Sequence, residues 1–217
     1  MPVIEYQRIP EILLIPDVCV GSRGNVRSVV LVTKKDDLSD VRSVALDESS
    51  RTSATLLKII FREFIGIDPE WREFKPDIDR MLSENDAALI IGDPAMTFLQ
   101  DDLRIFDMAT LWREHTGKGF VFAMWAVRVD CIHLMNHIDF AAARDEGLRQ
   151  IDEIVAHYEQ RIPLSRDELK AYLTEKITYR IDESMEQALN LYFDLALKHS
   201  LITERKPLRF VNTSALI

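Results

Sequence analysis

Residues 41–66, VRSVALDESSRTSATLLKIIFREFIG, pass from an apolar strand through a hydroxyl-rich loop into an amphipathic helix, and a unit of this kind commits the chain to a sheet with helices packed on it. Val44, Ala45 and Leu46 suit a buried strand, and Leu57, Ile60, Phe61 and Phe64 recur at the spacing of one helical face. Gly66 stops the helix. Between strand and helix, Ser49, Ser50, Thr52 and Ser53 crowd a helix start, where unpaired backbone N–H groups and the positive end of the helix dipole favour a carboxylate or phosphate. Arg51 adds a charge able to grip a carboxylate with two parallel hydrogen bonds. Serine and threonine also cap helices as a matter of course. Four hydroxyls and an arginine exceed what a cap requires, so the loop is expected to bind an anion.

Further strands are expected at Val26–Thr33, Trp71–Lys75, Ala87–Ile91 and Phe120–Val129. Ala87–Ile91 ends in Gly92-Asp93-Pro94-Ala95, a sharp turn. In open α/β sheets ligands gather at the carboxyl ends of parallel strands, so the SSRTS and GDPA turns would share one crevice if both strands lie in one parallel sheet. Asp93 would orient a ligand hydroxyl or accept from Arg51; equally, it can bond its own turn backbone. Short helices are expected over Asp79–Glu84 and Asp101–His115, and long ones over Ile138–Ile162 and Ser184–His199, with a capping box at Ser165–Glu168 opening another. Near the start, Pro10 and Pro16 break two apolar segments, Val3–Ile9 and Ile12–Val20, which therefore read as edge strands or extended loops. Leu208–Val211 reads as a strand or tail. No repeat or Gly/Ser linker separates the strand-rich part from the helix-rich part. Two α/β lobes sharing crossing strands fit this order, with residues 1–34 and 127–217 in lobe I and 35–126 in lobe II.

With 217 residues, 47% of them hydrophobic, the chain can build a large core. A net charge of -9 and a pI near 5.1 argue against nucleic-acid or anionic-membrane partners, so local groups must hold any anionic ligand. Cys19 and Cys131 stand far apart in apolar settings, as two reduced, buried thiols of a cytoplasmic protein would. No secretory signal and no run of ~18 apolar residues is present. His133 and His137 lie four apart, but two ligands make an incomplete metal site. A P-loop, a dinucleotide glycine fingerprint and a Ser-His-Asp order are lacking, and neither metal nor cofactor is expected. Met124 and Trp125 read as core residues or as a wall of the crevice.

Taken together and in this order, VRSVVLVT, VALDESSRTSATLL, AALIIGDPAM and LWREHTGKGFVFAMWA resemble the chorismate dehydratase family of the futalosine route to menaquinone, over essentially the whole chain. The resemblance implies a two-lobed clamshell like the type II periplasmic binding proteins, with crossing hinge strands, working in the cytoplasm as a carbon–oxygen lyase. Its reaction removes water from chorismate to give 3-[(1-carboxyvinyl)oxy]benzoate without a cofactor. By position, Ser49, Ser50, Arg51, Thr52 and Ser53 would hold one carboxylate of this dianion, Gly92 and Asp93 would border the ring, and Arg27 and Ser28 would sit near the hinge. No catalytic base is assigned: the substrate's own enolpyruvyl carboxylate, or a group in a preceding segment, would serve. Family members carry further strands and helices before the point where this sequence starts. Lobe I is therefore expected to be partial, dehydratase activity absent or nearly so beside that of an extended chain, and the exposed rim free to form a homodimer. Two alternatives are a 1,4-dihydroxy-6-naphthoate synthase-like enzyme of the same pathway and a non-catalytic binding protein for a small carboxylate.

Overall fold

In the computed structural model, which describes residues 1–98, 102–135 and 137–212, the run of β-branched residues expected to be a buried strand forms β2 (Val29–Thr33), buried at all five positions. It lies in a five-stranded sheet with β3 (Ser43–Asp47), β4 (Glu70–Phe74), β5 (Ala87–Ile91) and β6 (Arg104–Asp107), in the order β4-β3-β5-β2-β6. The strand β3 runs parallel to β4 and β5, while β2 is antiparallel to both β5 and β6. One face is covered by α2 (Arg51–Ile59), whose Leu56, Leu57 and Ile59 are fully buried. That helix relaxes into a π-helical turn, Ile60–Ile65, and stops where Gly66 takes a left-handed conformation (φ +82°) that favours glycine. On the other face Val30, Val32, Ala45, Ala88 and Ile90 pack against α3 (Ile78–Glu84) through Met81 and α4 (Asp93–Thr97) through Ala95.

Two long strands, β1 (Ile12–Ser22) and β7 (Phe120–Arg128), form a separate antiparallel pair, from Ile12 opposite Arg128 to Ser22 opposite Phe120. The register shifts between Leu14 and Cys19, a stretch holding Pro16 and Asp17 (φ +60°). Proline cannot donate to a ladder, so the irregularity falls where the sequence requires one. Against this pair and α2 packs α9 (Glu183–Lys198), which with α5 (Met108–Thr116) contributes Tyr192, Phe193 and Trp112 to one core continuous across both sheets. All three side chains are fully buried. Truncating any of them to alanine would cost on the order of 3–5 kcal/mol.

The mixed α/β class is as expected, and four local expectations are corrected. Residues after Val3 form a short helix, α1 (Glu5–Arg8), because Glu5 turns inward to ion-pair with Arg8 and Arg51. The segment expected as one helix from Asp101 to His115 is β6 followed by α5, with Asp107 accepting from Ala109 and Thr110 N–H groups to start the helix; Asp101 lies outside the described residues. The long helix over 138–162 divides into α6 (Phe140–Arg149) and α7 (Ile151–Tyr158). Gly147 weakens the helix there, and Gln150 leaves helical geometry while its N–H closes on both Glu146 and Gly147 carbonyls. His133 falls in a 3-10 segment, Val129–Met135, and so shares no α-helical face with His137. The Ser165 capping box forms as read, opening α8 (Arg166–Ala171), which continues into a second π-helical turn, Tyr172–Lys176. Of the two thiols, Cys19 is buried and Cys131 only half-buried. No helix among the described residues is long and apolar enough to cross a membrane.

Candidate functional site

Because β3 and β5 are parallel, with Leu46 opposite Leu89, the SSRTS and GDPA turns leave the same edge of the sheet. At the end of β3, Asp47 Oδ1 accepts from both the N–H (2.9 Å) and the hydroxyl (2.6 Å) of Ser49, and the Ser50 N–H closes on the Asp47 carbonyl at 2.9 Å. This turn aims the next residues at the start of α2. Ser50 stands at the N-cap position, yet its side chain makes no capping bond, and its buried Oγ has no partner among the described residues. Asp47 Oδ2 is likewise buried and unpartnered. Thr52 Oγ1 accepts from the Ile4 N–H at 3.3 Å, and its carbonyl accepts from the Tyr192 hydroxyl at 3.0 Å, so the starts of α1 and α2 converge and α9 buttresses both. Ser53 is buried beside them. Arg51 points outward: its guanidinium lies 3.2 Å from Glu5 Oε2, not on Asp93.

Two strands along, Val29 pairs with Ile91, and the Gly92 N–H donates to the Ser28 carbonyl at 2.7 Å. Gly92 has φ +71° and ψ -149°, a combination open to glycine, and this kink lets Asp93 and Pro94 begin α4. Arg27 is held at φ +64° because its own N–H (2.6 Å) and that of Val26 (2.9 Å) both donate to Asp107 Oδ2. Its guanidinium reaches Glu168 on α8 at 2.9 Å. The Ser165 N–H, and then Arg27, hold the Glu168 carboxyl down to about 2. Ser28 Oγ is bonded to the hydroxyl of Tyr172 at 2.9 Å. Burial raises the Tyr172 phenol above its ordinary value, with Asp93 adding to the effect; burial, and then Tyr172, pushes Tyr179 up to about 12. Both phenols therefore remain protonated donors at neutral pH.

The sequence-predicted residues thus gather at one sheet edge. Ser49 to Ser53 follow β3, Gly92 and Asp93 follow its neighbour β5, and Arg27 and Ser28 precede β2, one strand further on and about 10 Å from β3 across the sheet. Glu5, Glu168, Tyr172 and Tyr179 were not expected there, and apart from the capping-box spacing of Glu168 no local pattern marks them. A cavity of about 340 Å³ adjoins, between the β1–β7 pair and α6–α7, lined by Val18, Trp125, Phe140, Leu148, Ile154 and Tyr179 among others. Trp125 is an exposed wall of that cavity, whereas Met124 belongs to the core. No three His, Cys, Asp or Glu side chains among the described residues are placed to hold a metal.

Against known proteins, the profile of a family described as menaquinone biosynthesis matches residues 1–198. The chain belongs to the menaquinone biosynthesis family. It is 30% identical over 188 residues to the chorismate dehydratase of Thermus thermophilus, a match covering 78% of this chain and 68% of that enzyme. Among solved structures, a protein from Archaeoglobus fulgidus superposes with a TM-score of 0.62 at 21% identity, covering 93% of this chain and 78% of its own. The periplasmic aliphatic sulphonate binding protein SsuA of Escherichia coli gives 0.57 at 15% identity, covering 97% and 74% respectively. The family member described here therefore has the periplasmic-binding-protein-like fold, as its sequence motifs implied.

Proposed function

We propose that the protein binds chorismate at this sheet edge and removes one water from it to give 3-[(1-carboxyvinyl)oxy]benzoate. The observation that carries the reading is the buried, unpartnered Ser50 hydroxyl at the start of α2, on the same edge as Ser28 and Gly92. A hydroxyl in that position, beside free helix N–H groups, is complementary to a carboxylate that a protein of net charge -9 could not attract by its overall field. In this reading Ser49, Ser50, Thr52 and Ser53 hold one carboxylate, and Arg51 joins them by leaving Glu5. Gly92 and Asp93 border the ring, while Arg27 and Ser28 stand where the sheet meets α8.

Loss of the ring hydroxyl aromatises the product, so the chemistry asks the protein mainly to orient the substrate and place charge. Accordingly no protein base is assigned. The 30% identity to a chorismate dehydratase supports this choice of substrate. We propose activity for this chain, with Tyr172 and the Arg27–Glu168 pair supplying groups to the sheet edge. The reaction is tested by incubation with chorismate, followed by ultraviolet absorbance and by mass. Formation of a product lighter by one water supports it; tight binding of chorismate without conversion would point instead to a binding protein. Conversion of the cyclic substrate of 1,4-dihydroxy-6-naphthoate synthase, with chorismate untouched, would point to that enzyme.

A further inference from the structure

The contact between Ser28 and Tyr172 joins residues 144 apart in sequence, and it links the five-stranded sheet to the C-terminal helices. Ser28 is buried, and Tyr172 opens the π-helical turn that follows α8. Such turns recur at functional sites because they push one side chain out of the regular helical row. Two hydroxyls carry two hydrogens, and a single bond between them uses one. The second hydrogen has no acceptor among the described residues, although Ser28 is buried and Tyr172 half-buried. A buried donor pair with one hydrogen to spare is costly unless a ligand accepts it.

Its place on the sheet indicates what that ligand group is. Ser28 precedes β2, two strands and about 10 Å across the sheet from the β3 that leads to Ser50, an offset that a six-membered ring spans when a carboxylate at one end and a hydroxyl at the other each accept one hydrogen bond. We propose that the Tyr172–Ser28 pair donates its spare hydrogen to a hydroxyl on the ligand ring, across from a carboxylate held at the start of α2. Tyr172 acts as a positioning residue through Ser28, and the pair selects cyclic acids that carry this hydroxyl over those that lack it. The inference rests on the proposed binding of a cyclic acid here and names its second anchor.

The test compares benzoate with 4-hydroxybenzoate by titration calorimetry on the whole chain and on the Tyr172→Phe, Ser28→Ala and double variants, with thermal melts of each. The protein should prefer 4-hydroxybenzoate by about 3- to 10-fold, the worth of one neutral hydrogen bond. The double variant should lose that preference while its benzoate affinity stays within twofold. The two single substitutions should combine non-additively, since they act on one unit. Equal affinity for the two acids in the unmodified protein, or no measurable 4-hydroxybenzoate binding, would overturn the proposal. So would a double variant that weakens both acids equally, which is what a merely structural Tyr172 produces. Failure of the dehydratase reading is separately visible, as absence of chorismate turnover in a protein that still prefers the hydroxylated acid.

Discussion

Replacing Ser50 by alanine separates a ligand-binding helix start from a merely capped one, because the two readings predict opposite signs. An ordinary N-cap serine bonds a backbone N–H, and its truncation costs about 0.5–2 kcal/mol. Here the hydroxyl is buried with no partner, so folding already bears the cost of removing it from water, about 1–3 kcal/mol by mutational measures. Ser50→Ala should leave stability unchanged or raise it by up to ~1 kcal/mol. For a chain of 217 residues that is a melting temperature the same or higher by about 2–4 °C. Ligand affinity should move the other way. Losing one hydrogen bond to a charged carboxylate costs about 1.5–3 kcal/mol, or roughly 10- to 150-fold in Kd for chorismate. Differential scanning calorimetry and isothermal titration on the same preparation read both effects. A melting temperature lowered by several degrees with chorismate affinity unchanged would make Ser50 a structural cap and remove the main support for the anion site.

Other expectations follow from the charges and thiols. Glu5→Gln keeps the shape of α1 but releases Arg51, and chorismate should then bind about 2- to 5-fold more tightly, the range of an exposed ion pair; unchanged or weaker binding by titration calorimetry would leave Arg51 outside the site. The Glu168 carboxyl is depressed from 4.5 to about 2 in the folded state, so it contributes stability that is complete above 4.5 and disappears as pH falls towards 2. Melting temperature should decline across that window, and less steeply in Glu168→Gln; identical pH profiles would show that the Glu168 carboxylate, held by the Ser165 N–H and by Arg27, is unimportant to the fold. Burial pushes the Cys19 thiol up to about 12, so an aromatic disulfide reagent at pH 8 should label at most Cys131 in the native protein and both thiols after unfolding. Rapid native labelling of Cys19, located by mass spectrometry of peptides, would contradict its placement in the core.

Much of the fold was legible because its signals are local. The β-branched run at β2, the apolar alternation into α2, the Ser165 capping box and the glycine stop at Gly66 each depend on residues within a few positions of one another. The shared edge of the SSRTS and GDPA turns was legible on the condition that their strands lie in one parallel arrangement, which the pairing of β3 with β5 meets. What the sequence hid depends on distant partners. Glu5 forms part of a helix and an ion pair only because Arg51 arrives 46 positions later, so an apolar segment flanked by prolines reads as extended. Tyr172 looks like one more residue of a charged helix until Ser28 meets its hydroxyl from 144 residues away. The break at Gln150 is decided where Ile151 and Val155 bury against Leu169, a tertiary preference that helical periodicity does not encode. Arg51 was read as the natural grip for a carboxylate; its role turns on whether a ligand can compete with Glu5.

The proposed dehydration of chorismate at this sheet edge is tested most directly by incubation. Purified protein and chorismate are followed by ultraviolet absorbance and by mass spectrometry, with Ser50→Ala and the Tyr172→Phe/Ser28→Ala variant run in parallel. The expected result is a product lighter than chorismate by one water, formed by the unmodified protein, at least about tenfold more slowly at limiting substrate by Ser50→Ala and about 3- to 10-fold more slowly by the double variant. Unchanged chorismate after prolonged incubation, or conversion at equal rates by all three proteins, would contradict it.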